Sequence, residues 1–237
     1  VFSDYGRVLK QRNALLKTAR QTGASGPALS TLDAWDEQLV RFGSEIIAAR
    51  VQLVEDLTPH LQAAYQAITA RNNRVSLSYE SSILGDTLDA EDAANLPTLE
   101  TSDREQIATN FREKLTQLRK KELERGLTLV GPQRDELQIQ LGDLPAKGYA
   151  SHGESWSLAL ALRLGGAELI RAQSSVGDPI LILDDVFAEL DDERRRRLVE
   201  IIGRFEQVLV TAAAVEDIPE DLKAQRFIVS EGVVASG

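Results

Sequence analysis

From Leu32 to about Arg71, apolar residues recur three and four apart, at Leu32, Trp35, Leu39, Phe42, Ile46, Ala49 and Leu53. That spacing predicts one long helix with a heptad-like seam, suited to lying along another helix. The phase slips at Leu57 and Pro59 follows, so a kink or break is expected there before the pattern resumes at Leu61, Ala64, Tyr65 and Ile68. The first 22 residues read as a helix with Val8, Leu9, Leu15 and Leu16 on its apolar side. Two Gly and a Pro between Thr22 and Ser30 end it. A third helix has Ile107, Phe111, Leu115 and Leu118 on its core face. It is expected to start at a Ser102–Glu105 capping box and to stop at Gly126.

Between and after these helices the period changes to two. Val75, Leu77 and Tyr79 alternate with polar residues from Arg74 to Glu80, as in a half-buried strand. Leu127 to Val130 reads as a short strand, Gly131 to Asp135 as a turn, and Glu136 to Leu141 as the return strand. Glu154 to about Ala172 is a helix whose Leu158, Leu162, Leu164 and Leu169 face a sheet, with Gly165 and Gly166 allowing close approach. Ile180 to Leu183 is a continuous apolar run, as expected of a parallel strand covered on both faces. A helix capped by Asp191 or Asp192 follows, with Leu198, Ile201 and Ile202 inward and Arg194 to Arg197 largely outward. Gln207 to Val210 is another strand, and Arg226 to Val234 closes as a hairpin around Glu231 and Gly232. The pattern divides the chain into a mostly helical, antiparallel, coiled-coil-like arm over residues 1–126 and an α/β lobe over residues 127–237.

The chemistry concentrates between Tyr149 and Asp191. Asp184 and Asp185 end the apolar strand, where open α/β sheets bind ligands. An acid there can hold a phosphate-bound magnesium ion, and a neighbour can orient a water; equally, both acids could simply cap the strand. Ser151, Gly153 and the helix N-terminus after them form an anion site. Gly153 and Asp184 lie 31 residues apart, room for one helix, one loop and one strand.

Four segments in this order resemble a known family. Ser151-His152-Gly153-Glu154 resembles the signature motif of ATP-binding-cassette ATPases of the SMC type, Ile180 to Asp185 their Walker B strand, and Glu189-Leu190-Asp191 their D-loop. With YGRVLKQRNALLK (Tyr5 to Lys17), GPQRDEL (Gly131 to Leu137), YASHGESWSLALALRL (Tyr149 to Leu164) and PILILDDVFAELD (Pro179 to Asp191), the chain is identified as a member of the RecF family. The resemblance implies an ATP-dependent, homodimerising, DNA-binding protein of recombinational repair and replication restart. It would act in the cytoplasm at single-strand gaps and duplex junctions, with RecO and RecR to load RecA. It further implies that Asp184 serves Mg²⁺ and Asp185 the attacking water, while Ser151, His152, Gly153, Glu154 and Asp191 contact ATP held by the other subunit. Arg134 of the GPQRD segment would either support the nucleotide site or pair with a neighbouring acid. Thr211-Ala212-Ala213 stands where many cassette ATPases carry a switch His, which puts that contact in doubt.

The family's P-loop, G-x-x-x-x-G-K-[ST], does not occur in these 237 residues, and there is no Met. The chain is therefore expected to be the carboxyl-terminal part of a longer protein. Weak ATPase activity is expected of the intact protein and none of this chain alone. Two other readings remain: a dimerisation and partner module without nucleotide chemistry, or another SMC-like ATPase such as a RecN relative.

Composition narrows the field further. Zero cysteines exclude a disulfide framework and a Cys zinc site, and no apolar run is long enough to span a membrane. His60 and His152 are the only histidines, and neither has the context of a Ser-His-Asp triad. His60, beside Pro59, is expected at the surface. The net charge of −10 argues against a chain that coats DNA uniformly. Seven acids and one Arg between Asp86 and Glu105 contribute −6 of it, and the acidic stretch through Pro97 reads as a mobile loop or short helix. Two helices are basic: Arg7, Lys10, Arg12, Lys17 and Arg20 on the first, and Arg112, Lys114, Arg119, Lys120, Lys121 and Arg125 on the third. Each is either a solvated face or a surface for DNA phosphates.

Overall fold

A computed structural model describes residues 1–23, 30–70, 74–85 and 96–236. The chain separates into two compact units, residues 1–58 with 76–145, and residues 59–75 with 146–237. Most of the loop predicted at Thr22 to Ser30, and residues 86–95 of the acidic stretch, lie outside the described residues.

In the first unit, α1 (Phe2–Thr22), the first part of α2 (Ser30–Thr69) and α3 (Arg104–Arg125) share one core. Arg12 meets Asp36, while Asp33, Glu37 and Glu45 of α2 meet Arg119, Arg112 and Arg104 of α3. This reversed order makes α2 antiparallel to α3, and Gly43 beside Tyr5 with Asp36 on Arg12 makes it antiparallel to α1 as well. Tyr5, Val8, Leu39, Ile47, Phe111 and Leu115 are buried between them. Gly43 has no room for a side chain, since a Cβ there would lie 2.5 Å from the Phe111 ring. α3 has the expected core face, and Gly126 ends it at φ 72 with its N–H on the Glu122 carbonyl. Its cap, however, is Asp103, not Ser102: the carboxylate accepts from the Glu105 and Gln106 N–H groups.

The α2 seam differs from the predicted one. Leu32, Leu39 and Ile46 are buried, but Ala49 and Leu53 are exposed and Val51 is buried instead. A straight helix turns every 3.6 residues, so a stripe drawn at 3.5 drifts off the core after a few turns. The helix also continues through Pro59 without a break. Pro59 removes one backbone bond, but Leu61, Tyr65 and Ile68 anchor the following turns at 0% exposure, and packing outweighs the local loss. The division between the units falls at this proline. His60 is half-buried, not at the surface.

The strand β1 (Val75–Glu80) buries alternate residues as expected, and β2 (Glu136–Leu141) and β3 (Leu144–Pro145) complete a sheet in the order β1-β2-β3. Leu127 to Val130 is not a strand. Its backbone is satisfied by side chains: Thr128 N–H donates to Asn13 Oδ1 at 2.7 Å and Leu129 N–H to Glu122 Oε1 at 2.7 Å. Residues 127–145 pack within the first unit.

In the second unit, the short turn α4 (Ala146–Tyr149) leads into α5 (His152–Gln173), followed by β4 (Leu181–Asp184), α6 (Asp192–Ile202), β5 (Val208–Thr211) and the hairpin β6 (Phe227–Ser230) with β7 (Val233–Ser236). β4 and β5 are parallel, with Asp184 beside Thr211. Only one face of β4 is covered. Leu181 and Leu183 are 8% exposed, whereas Ile180 and Ile182 are 57% and 70% exposed. Successive strand residues point to opposite faces, and among the described residues nothing covers the second one. Gly165 sits against the end of α2: a Cβ would lie 2.9 Å from the Leu61 nitrogen. Close approach therefore occurs at Gly165, while Gly166 faces open space.

Candidate functional site

The N-terminus of α5 is built by Ser151. Its hydroxyl donates to Glu154 Oε2 at 2.7 Å and accepts from the Glu154 N–H at 3.4 Å, while the Ser151 N–H donates to the same carboxylate at 3.0 Å. This reciprocal box holds the first turn. The Ser155 N–H reaches the Ser151 carbonyl at 2.9 Å. The His152 and Gly153 N–H groups, which no intrahelical carbonyl can reach, have no acceptor among the described residues. Backbone donors at the positive end of a 22-residue helix suit an anionic oxygen.

The predicted D-loop lies beside this turn. His152 Nε2 is 3.8 Å from Glu189 Oε2, and a Cβ on Gly153 would lie 3.4 Å from Arg194 Nη1. Arg194 pairs with Asp191 at 3.4 Å, and Asp191 caps α6 by accepting the Arg194 N–H at 2.9 Å. Ser151, His152, Gly153, Glu154 and Asp191 thus gather in one region. Arg194 and Arg195 are not outward: both side chains are 20% exposed, and Arg195 donates to the carbonyls of Phe187 and Leu190 at 2.8 Å, fixing the D-loop backbone.

At the end of β4 both acids are exposed. Asp184 accepts a hydrogen bond from the Thr211 hydroxyl. Asp185 has φ 51, a left-handed conformation that Asp tolerates better than most residues. Its N–H donates to the Thr211 carbonyl at 3.1 Å and hydroxyl at 3.2 Å. No cluster of three His, Asp or Glu side chains exists among the described residues. A lone accessible carboxylate fits Mg²⁺ carried mainly by phosphate oxygens and water, and does not fit a metal caged by protein.

The basic helices are only partly available to a phosphate backbone. Arg12 is fully buried: Nε meets Asp36 at 2.6 Å, one terminal nitrogen meets Glu122 at 2.6 Å and the other Thr128 Oγ1 at 2.8 Å. Lys114 is 7% exposed. Both leave the list of DNA-facing candidates, because their helical positions fall on the core side. Arg112 is bidentate to Glu37, at 2.8 and 3.1 Å, and its hydrogen bonds hold that carboxyl below its ordinary range. Arg119 bridges Asp33 and Asp36, each at 2.7 Å. Arg7 lies 3.6 Å from Asp4. Lys10, Lys17, Lys120, Lys121 and Arg125 are exposed.

The 131–135 turn holds a group that periodicity could not reveal. Arg134 is exposed and does not pair with Asp135. The Asp135 carboxylate instead accepts from Tyr79 Oη at 2.7 Å, Ser81 Oγ at 2.9 Å, and Ser82 N–H and Oγ at 2.8 and 2.7 Å. Burial pushes Asp135 above its ordinary value, against the pull of these donors. Arg50 donates to the Pro132 carbonyl at 2.6 Å, and Tyr5 donates to Gln133 Oε1.

No family model matches the chain. Curated relatives do, each named DNA replication and repair protein RecF. That of Clavibacter sepedonicus is 52% identical over 238 residues, covering 99% of this chain and 58% of the relative. That of Streptomyces avermitilis is 49% identical over 237 residues, covering 99% and 59%. The chain thus spans under two thirds of the length of these relatives. Among solved structures, the recombination mediator protein RecF–ATPrS of the RecFOR pathway superposes with a TM-score of 0.76 at 25% identity, over 99% of this chain and 57% of that one. The RecF–ATP structure gives 0.75 at 24%, with the same coverage. Half of the residues are shared with these relatives along the whole chain and the fold is shared with solved RecF: the chain belongs to the RecF family.

Proposed function

We propose that the intact protein is an ATP-dependent, dimerising DNA-binding protein of recombinational repair, and that the second unit of this chain supplies the half-site that closes over nucleotide held by the partner. The observation that carries this reading is the α5 N-terminus beside the predicted D-loop, where the His152 and Gly153 N–H groups have no acceptor among the described residues. Ser151 shapes that turn and Gly153 leaves it open to a γ-phosphate. Asp184 would hold Mg²⁺, which when bound screens the charge on the transferring phosphoryl group. Asp185 would orient the attacking water. The residues 127–237 would act as the ATPase lobe, and the helical remainder as an arm. Action in the cytoplasm at single-strand gaps with RecO and RecR, to load RecA, belongs to the same proposal. It is supported by the RecFOR naming of the solved relative.

The roles of the two acids separate in the full-length protein. Asp185→Asn should slow ATP hydrolysis by about 100-fold or more while ATP affinity and ATP-driven dimerisation persist, because a contact made only in the transition state lowers turnover alone. Asp184→Asn should weaken nucleotide binding. Wild-type turnover by Asp185→Asn, or equal loss of ATP binding in both variants, overturns the assignment.

A second reading, a module for assembly without nucleotide chemistry, draws on the exposed apolar face of Ile180, Ile182 and Leu209. ATP-independent dimerisation of the full-length protein, insensitive to Ser151→Arg, would favour it.

A further inference from the structure

We infer that Thr211 is a positioning residue for both acids at the end of β4. The inference rests on the nucleotide reading above. Thr211 is the last residue of β5 and lies directly beside Asp184 in the parallel register. Its hydroxyl has two partners. It donates to Asp184 Oδ1 and accepts from the Asp185 N–H at 3.2 Å. Its carbonyl accepts from the same N–H at 3.1 Å.

Each bond restricts something the chemistry needs. A carboxylate at an exposed strand end is free to rotate, and one oxygen engaged by a hydroxyl leaves Oδ2 turned outward as the ligand. Asp185 would continue the strand were it not for its φ of 51. The paired acceptors of Thr211 hold its N–H and thereby that turn, which takes the Asp185 side chain out of the strand's alternation. One hydroxyl therefore sets the rotamer of the first acid and the backbone of the second. It stands where a switch His contacts nucleotide in many cassette ATPases, but its partners here are the two acids, so its action is exerted through them.

The test uses the full-length protein with Thr211→Val, which keeps the shape and removes the hydroxyl, and Thr211→Ser, which keeps it. Thr211→Val should lower turnover about 10- to 100-fold, the rate equivalent of one hydrogen bond to a charged group. It should also weaken Mn²⁺ binding in the nucleotide complex, read by electron paramagnetic resonance. KM for ATP should change far less than kcat, and Thr211→Ser should recover most of both losses. Wild-type turnover and Mn²⁺ affinity in Thr211→Val, or a Thr211→Ser variant as impaired as Thr211→Val, overturns the inference. Asp185→Asn measured in parallel separates the two levels. If it is inactive while Thr211→Val is unaffected, only the role of Thr211 falls; if it turns over normally, the reading beneath it falls as well.

Discussion

At the scale of single residues, Asp135 anchors the 131–135 turn through four donors. An Asn there presents an NH₂ to at least one of them and leaves a donor unpaired. Asp135→Asn should cost about 1–3 kcal/mol of stability, seen in urea unfolding at pH 7. The folded state holds the Asp135 proton more tightly than the unfolded chain, since burial raises its value. Its contribution is therefore full below the ordinary Asp value of 3.8 and is lost as pH rises through the raised one. A plot of the difference between wild type and Asp135→Asn against pH should slope downward in that window; an upward slope would mean that the four donors outweigh burial.

At the scale of elements, helix packing decides which of two adjacent glycines is needed. Gly165 lies against the Leu61 backbone and Gly166 against nothing within 4 Å. Gly165→Ala should cost about 1–3 kcal/mol through overpacking, even though Ala is the better helix former. Gly166→Ala should be neutral or stabilising by up to about 1 kcal/mol. Thermal unfolding of the pair checks this, and equal midpoints would show that α2 and α5 can separate without cost. The Arg12 cluster works at the same scale. It joins α1, α2, α3 and the 127–130 segment around one guanidinium, so Arg12→Ala should cost about 3–5 kcal/mol by leaving Glu122 buried without its cation and Asp36 with Arg119 alone.

At the scale of the whole molecule, charge is distributed by the helices and then partly cancelled between them. Arg112 and Arg119 place their charge on α2 acids, which leaves Lys120 and Lys121 among the exposed cations near the end of α3. If the arm meets DNA phosphates, charge reversal at both should weaken DNA binding by the full-length protein and flatten its salt dependence by about two phosphate contacts. Unchanged affinity and slope across a salt titration would remove this helix from the DNA surface. With no G-x-x-x-x-G-K-[ST] in the chain, the isolated 237 residues should show no micromolar ATP binding by calorimetry, because the backbone and Lys of that loop supply most phosphate contacts.

Local rules were enough to read much of this molecule from its sequence. The periods of 3.6 and 2 located α3, β1 and β2, the Glu231-Gly232 turn located the closing hairpin, and Gly126 and the Asp191-Asp192 pair marked helix ends, because these signals act within a few residues. The order of the motifs was enough for the family. Other features depended on partners distant in sequence. Arg12 and Lys114 read as surface cations, yet Arg12 meets Asp36 and Glu122 and both residues face the core. Leu127 to Val130 had the composition of a strand but found Asn13 and Glu122 side chains where a ladder would be. Pro59 should have broken α2 by its own chemistry, and packing on both sides overrode it. The Thr211 hydroxyl reached Asp184 only because two strands 27 residues apart lie side by side in parallel. Propensity and pattern are properties of neighbours in the chain; burial, charge pairing and the partners of a hydroxyl are properties of neighbours in space, and only the folded chain decides them.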